Sequence, residues 1–445
     1  MKRAKRILIS AGCVLLLLIS WIIAVNSKSS AQKQIELISQ AEELMGAGIY
    51  IGAVPLLEEA AGYNAAHTLA AESMLKKAYL AMIDKKGFGR KYTGLLEKQM
   101  SRRDALPEVF AEAADYYISI SKIHEALSVL KAGIEQTGSP RLVSIYESNR
   151  YAFVTNRMSY DSVTAAHGPT IQVQKDGLWG IARSDGSLLI PCEYEKISTF
   201  SKDRAIVKKN GEIFAVDINN DRIALLNAGA ADFGNFADNR IPVYINGNWQ
   251  RATGEFAIGA MGFDQMGMYS FGYAAAKTQG RWGVIGLSSE WLIPAEYDEI
   301  VRDELGRCFA QGVVFARKGA LRYLIAGGVP VEGAYEDAYE DAYEDARPFS
   351  GDGFAAVKRN GKWGFIDNTG TLAIDFDFDD ALSFGQHLAA VKQGEFWGYI
   401  SLTGDVVIEP VFLEAKSFSN GSAPVRTGRG WQFITLLEYK KEASL

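Results

Sequence analysis

Phe354 to Gly370 reads FAAVKRNGKWGFIDNTG, and the pattern returns as LAAVKQGEFWGYISLTG from Leu388, as AAAKTQGRWGVIGLSSE from Ala274 and as IQVQKDGLWGIARSDG from Ile171. Four near-copies of one segment make an internal repeat, and a repeat decides the fold class before any single residue is weighed. Weaker copies put Ile213, Trp249, Leu321 and Trp431 where Trp363 stands. The marks therefore fall at 179, 213, 249, 282, 321, 363, 397 and 431. Eight units of about 34 residues are expected between 159 and 435.

Inside a unit, Ala355 and Val357 alternate with their neighbours, Asn360-Gly361 makes a turn, and Trp363 and Phe365 resume the alternation. Period two on either side of an Asn-Gly pair predicts a β-hairpin. A third strand is read in LLIPCEYEKI from Leu188, WLIPAEYDEI from Trp291 and LAIDFDFDDA from Leu372. SYDSVTAAHGPTIQV from Ser159 aligns without gaps to EYEKISTFSKDRAIV from Glu193, so the array begins with a third strand that has no hairpin before it. The last hairpin, at Trp431, lacks a third strand after it, because Glu438 to Lys441 begins a charged tail (436–445). Complementary ends predict that first and last units complete one another in a propeller-like ring; an open β-superhelix is the alternative.

Ala334 to Ala346 reads AYEDAYEDAYEDA. Leu321 and Trp363 are 42 residues apart, and two four-residue copies account for the excess over about 34. The segment reads as a tandem duplication looped out of the ring.

Gly361-Lys362-Trp363-Gly364-Phe365-Ile366-Asp367, with the later Ile-Pro and Tyr-Asp elements, resembles the bacterial WG-repeat (KWG-repeat) family. The resemblance covers about 60% of the chain. It departs at Ile213, Trp249 and Leu321, where the Trp-Gly pair is lost. What it implies is a binding or scaffold module.

Upstream, Ile35, Ile38, Ala41 and Leu44-Met45 recur at helical spacing. Gly48-Ile49-Tyr50, Ala53-Val54 and Ala60 resemble the tetratricopeptide pattern, and the spacing returns at Ser121, Ile123, Ala126-Leu127 and Gly133, with Pro140 beyond. Gly87-Phe88-Gly89 breaks the helical stretches Leu75–Met82 and Leu95–Met100. About three tetratricopeptide-like α-helical hairpins are expected over 31–150, as a spacer or a peptide-binding groove.

At the N-terminus, Lys2, Arg3, Lys5 and Arg6 precede Ile7 to Val25, 19 residues without a charge. Such a run is long enough to cross a bilayer, and the cations favour the cytoplasmic side. Residues 1–30 are expected to be a transmembrane signal-anchor with the body outside the membrane. Secretion after cleavage near Ser29-Ser30-Ala31 is the alternative. Cys13 reads as a membrane-buried residue.

Charge narrows the partners. Residues 26 to 150 hold 15 basic and 15 acidic residues, whereas 151 to 445 hold 28 basic against 38 acidic, a surplus that repels nucleic acid. The three cysteines, Cys13, Cys192 and Cys308, have no zinc or redox spacing. His67, His124, His167 and His387 are isolated, and no catalytic or phosphate-binding motif occurs. No catalytic, cofactor-binding or metal residue, and no cofactor, is assigned.

Trp179, Trp249, Trp282, Trp363, Trp397 and Trp431 suit sugar stacking, but one position repeated in every copy is first a packing position. Trp291, off that register, is the better surface candidate. Asp161, Glu195, Asp298, Glu344 and Asp379 follow an aromatic in their units and read as solvated strand ends, or as a rim of carboxylates for a cationic partner. Asp375, Asp377 and Asp379 resemble the start of a calcium loop, yet Asp380 takes the glycine place and Gln386 the glutamate place. The expectation is a membrane-anchored extracytoplasmic binding or scaffold protein of the bacterial cell envelope, taking a protein or glycan ligand and no nucleic acid. The alternative is a cell-envelope glycoside or peptide hydrolase on the same scaffold.

Overall fold

The computed structural model describes residues 30–225, 229–308, 310, 312–319, 321–326, 329–330 and 343–438. The chain divides into two compact units, Met1–Glu147 and Ser148–Leu445. The segment Ile7–Val25 lies outside the described residues; among those, no helix is long and apolar enough to cross a membrane.

The first unit has seven helices among its described residues: α1 (30–46), α2 (Tyr50–Gly62), α3 (Thr68–Ala81), α4 (Phe88–Met100), α5 (Pro107–Ser119), α6 (Ile123–Thr137) and α7 (Pro140–Asn149). The two tetratricopeptide-like matches fold alike. After α1, Ile49 N–H donates to Leu44 O at 2.8 Å across left-handed Gly48; after α5, Lys122 N–H donates to Tyr117 O at 2.8 Å across left-handed Ser121. Both are six-residue helix terminations of the Schellman kind. The small residues behind them, Ala53 and Ala60 on α2 and Ala126 on α6, are fully buried. A Cβ on Gly133 would lie 2.7 Å from both Phe110 and Leu142, so α5, α6 and α7 approach closely only there because Gly133 has none.

The second unit holds eight four-stranded antiparallel sheets among its described residues, a β-propeller. Four strands (a to d) form each blade, as in blade 7: Asp380–Ala381, Leu388–Gln393, Phe396–Ser401 and Val406–Phe412. The b–c turn is the predicted one, with Asn360 and Gly361 both left-handed (φ 50° and 78°) as a two-residue hairpin turn requires. The expected single third strand is two strands in different sheets. Leu188–Tyr194 is strand d of blade 1, and Lys196–Ile197 is strand a of blade 2. The chain turns from one sheet to the next at the acidic residue, because the aromatic before it and the apolar residue after it are buried in neighbouring sheets.

Strand d bulges around the glycine after Trp179, Trp282, Trp363 and Trp397. Trp363 pairs with Phe378 and Phe365 with Ile374, so three residues of strand d oppose one of strand c. A Cβ on Gly364 would lie 2.7 Å from Ile374 O, and one on Gly398 would lie 2.4 Å from Ile408 O. The Trp-Gly pair therefore couples a large packing side chain to a backbone contact that no other residue permits.

Neighbouring blades share their cores. Phe365 packs with Phe384, Tyr399 with Phe418, and Phe315 with Phe349, each across a blade boundary. The series closes: Trp431 and Phe433 of blade 8 share a cluster with Val173 and Ala182 of blade 1. Blade 8 takes its outer strand, Phe153–Thr155, from ahead of blade 1, so the ring includes residues before the expected start at 159. Tyr160 pairs with Trp431 through bonds of 2.9 and 3.0 Å, the pairing that the complementary ends predict. The open superhelix is thereby replaced by a closed ring.

Of the acidic repeat, Tyr343-Glu344-Asp345-Ala346 is described, and Asp345–Ala346 is strand a of blade 6. The last copy thus occupies the ordinary place of a Tyr-Glu-Asp-Ala element. The earlier copies, 334–342, lie outside the described residues, as do 439–445 of the tail.

Candidate functional site

Strand a of each blade faces the ring axis, and the loops after these strands build the axial cavities. Blade 5 departs from the rule. Between Ile300 and Val313 it carries about six more residues than the corresponding loops, and Arg302 to Arg307 cross the centre. Leu305 is buried with Met268 and Ala237 of blades 4 and 3. Its carbonyl accepts from Asn235 Nδ2 at 3.0 Å, Arg307 donates to Ala166 O of blade 1 at 3.0 Å, and Lys416 of blade 8 meets Glu304 at 2.5 Å. Asp303 holds the segment together by accepting from Leu305 N–H, Arg307 N–H and Arg307 Nε. Blades 1 and 5 lie opposite one another in a ring of eight, so a segment that joins them plugs the channel.

The plug leaves two cavities. One, of about 750 Å³, is lined by Trp179, Trp249, Phe233, Met266, Gln172 and Asn235 together with Glu195, Lys196, Asp232, Glu299, Arg302, Asp303 and Glu304. The other, of about 550 Å³, lies among Phe271, Phe349, Arg307, Arg347, Lys416 and a series of serines. The carboxylates of the larger cavity have protein partners: Asp232 meets Lys196 at 2.7 Å, Glu299 meets Arg317 at 3.1 Å, and Glu195 accepts from Asn210 N–H at 2.6 Å. Asp303 and Glu304 are engaged within the plug and with Lys416.

The tryptophan series divides. Trp282, Trp363, Trp397 and Trp431 are buried, as a packing position requires, whereas Trp179 and Trp249 are only partly so and line the larger cavity. Trp291 is not the surface platform expected; it is partly buried and packs edge-on against Phe263, with ring centres 5.9 Å apart.

The acidic residues after the aromatics are not a rim of open carboxylates. Each accepts from a backbone N–H in the b–c turn of the blade it opens: Asp161 from Asp176, Asp298 from Gly319, Glu344 from Gly361 and Asp379 from Gly394, as Glu195 does from Asn210. Asp264 does the same to Gly280, a member that the sequence reading missed although it follows Phe263 as the others follow their aromatics. Lys362, and after it the Gly394 amide, hold the Asp379 carboxyl below its usual range. Asp375 and Asp377 alternate along strand Leu372–Phe378 with exposed side chains, so a strand stands where a calcium loop would be.

Among the described residues no cluster of His, Cys, Asp and Glu could hold a metal. Burial pushes the Cys308 thiol up to about 12, which leaves it inert. Glu72 is a second residue that sequence reasoning missed. It is fully buried on α3, bonded to Gln99 at 3.0 Å and Arg102 at 2.6 Å, and its signal was a carboxylate on the apolar stripe with Leu75 and Tyr79.

His167 lies beside the plug. Burial, with the Arg307 guanidinium adding to it, pulls its imidazole down to about 4. Between pH 6.5 and about 4 the unfolded chain takes up this proton and the folded chain does not, so stability present above pH 6.5 falls as the pH drops. The loss is on the order of 3 kcal/mol. His167→Gln is expected to flatten this part of the profile, checked by urea midpoints of both chains at pH 7 and pH 4.5; equal slopes would refute it.

The family profile described as a WG containing repeat matches residues 179–212, 282–319, 342–363, 363–395 and 397–431. The propeller carries WG containing repeats. The unmatched stretches hold Ile213, Trp249 and Leu321, yet the same four-stranded sheets form there. No curated protein matches the chain. Among solved structures it is similar to a eukaryotic initiation factor, at 9% identity over 66% of this chain and 91% of that one, with a TM-score of 0.40. The WD40 domain of SCAP from fission yeast is similar at 8% identity over 64% and 97%, with a TM-score of 0.33. Likenesses this loose say nothing of what the WG propeller binds.

Proposed function

We propose that this chain is a membrane-anchored extracytoplasmic binding or scaffold protein whose WG propeller takes a protein or cell-envelope ligand. The observation that carries the reading is the larger axial cavity, with two partly open indoles and mixed polar lining on a rigid, closed ring. Concave sites with aromatic walls and a few convergent polar groups are where ligands settle. The hydrolase alternative has the same carboxylates to draw on, and none of the contacts found favours it. Capture on the immobilised full-length chain, followed by direct binding of the purified partner, is the test. Stoichiometric binding supports the reading; release of sugar or peptide fragments from cell-wall polymer by the purified chain would replace it with the hydrolase.

The charge pattern around Ile7–Val25 supports the placement. Protease added to spheroplasts is expected to digest the propeller. Full protection while an external control is cut would end the topology.

A further inference from the structure

The propeller shows what it places on its own tryptophans. The Arg302 guanidinium lies 3.8 Å from the ring centre of Trp282, that of Arg347 lies 4.7 Å from Trp363, and the Lys416 ammonium lies 5.6 Å from Trp431. Arg347 and Lys416 occupy one place in the unit. Each follows the strand a residue that pairs with a strand b valine, Ala346 with Val357 and Ala415 with Val425. The corresponding pairs in blades 1 and 3 are Val163 with Val173 and Phe233 with Val243, and the next residues are Thr164 and Gly234. Small side chains stand there where a cation stands in blades 6 and 8.

The consequence is visible in the cavity. Trp179 and Trp249 each keep one side in the core, Trp249 against Tyr244 with ring centres 5.5 Å apart, and among the described residues no Lys or Arg lies over either ring. Both line the larger cavity, and Thr164 and Gly234 line it beside them. The cavity lining holds five carboxylates and two cations, and four of the carboxylates, Asp232, Glu299, Asp303 and Glu304, are ion-paired with Lys196, Arg317, Arg307 and Lys416, while Glu195 accepts from a turn amide. Both cations are committed, Lys196 to Asp232 and Arg302 to Trp282.

We propose that this cavity receives a basic segment of a partner protein, whose Arg or Lys side chains cover Trp179 and Trp249 as Arg302, Arg347 and Lys416 cover their own tryptophans. The proposal rests on the binding reading above and names its partner class. An aromatic face attracts a cation, and the surplus of acid over residues 151–445, 38 acidic against 28 basic, favours its approach. A sugar can stack on an indole as well, but on Trp282, Trp363 and Trp431 the propeller itself places cations, and that precedent decides for the basic peptide.

The test uses the full-length chain in mild detergent, with fluorescein-labelled tetra-arginine amide as the probe and tetra-glutamate and chitotetraose as controls. Tetra-arginine is expected to bind and to weaken with added salt, while the two controls do not bind. Trp179→Ala and Trp249→Ala are each expected to lower the affinity about fivefold or more. Because truncating a partly buried indole can disturb packing, Thr164→Arg is the decisive variant. It supplies over Trp179 the cation that Arg347 supplies over Trp363, and is expected to lower probe affinity at least as far as Trp179→Ala does, with an unchanged melting temperature. Tetra-arginine binding undiminished by Thr164→Arg, or chitotetraose bound in its place, would overturn the proposal. A captured partner whose attachment is indifferent to Thr164→Arg would end this proposal and leave the broader binding reading intact.

Discussion

Trp363→Ala is expected to destabilise the WG propeller by about 3–5 kcal/mol, the cost of truncating a large buried aromatic. Only 3% of Trp363 is exposed, and it packs in one cluster with Phe378 of its own blade and Phe384 of the next. The loss therefore falls on a boundary between blades, and it also strips Arg347 of the ring it covers. The melting temperature of the propeller should drop by about 10 °C. Trp179→Ala removes a ring that is only partly buried and should cost clearly less in the same measurement. Equal losses for the two variants would contradict the division of the tryptophans into covered and open.

Removal of residues 153 to 160, with Ala152 rejoined to Asp161, is expected to open the ring at its seam. The Trp431 amide loses Tyr160 O, the Phe433 amide loses Asn156 Oδ1, and strand Gly430–Leu436 becomes an unpaired edge. Tyr160 is itself buried, donates to Gly186 O at 2.7 Å and lies edge-on to Phe433, so its loss adds a core defect. Amide exchange at Trp431 and Phe433 should quicken on the order of a thousandfold, equivalent to ~4 kcal/mol. The shortened chain should also aggregate through the exposed edge. Unchanged exchange at these two amides, with the other blades still protected, would show that the seam does not hold the ring.

Much of this architecture could be read along the chain, because hairpins and helical turns are local. The Asn360-Gly361 turn, the alternation around it and the glycine after Trp179, Trp282, Trp363 and Trp397 are requirements of backbone geometry, and they recur wherever the geometry recurs. Even closure was legible, since a terminal strand without a hairpin and a terminal hairpin without a strand are complementary at any separation. The pairing of Tyr160 with Trp431 fulfils that logic across about 270 residues.

The boundary between strands d and a was not legible. Leu188 to Ile197 is one unbroken run in sequence, and only its burial in two neighbouring sheets divides it at Glu195. The acidic residues followed the same course. Their recurrence was plain, but acceptance of a turn amide some 15 residues later is a contact through space. The plug left a trace that passed unread: Trp282 and Leu321 are 39 residues apart, longer than the usual unit.

By itself, then, the sequence determined the repeat, the hairpins, the helical turns and the pairing of the ends, because each depends on short-range periodicity or on complementary fragments. Only the tertiary structure decided which tryptophans are covered and which are open. That choice depends on whether a cation, Thr164 or Gly234 follows strand a, and on Arg302 reaching from an inserted plug to Trp282. Those residues lie far from the rings in sequence, and nothing but the closing of the sheets around one axis brings them together.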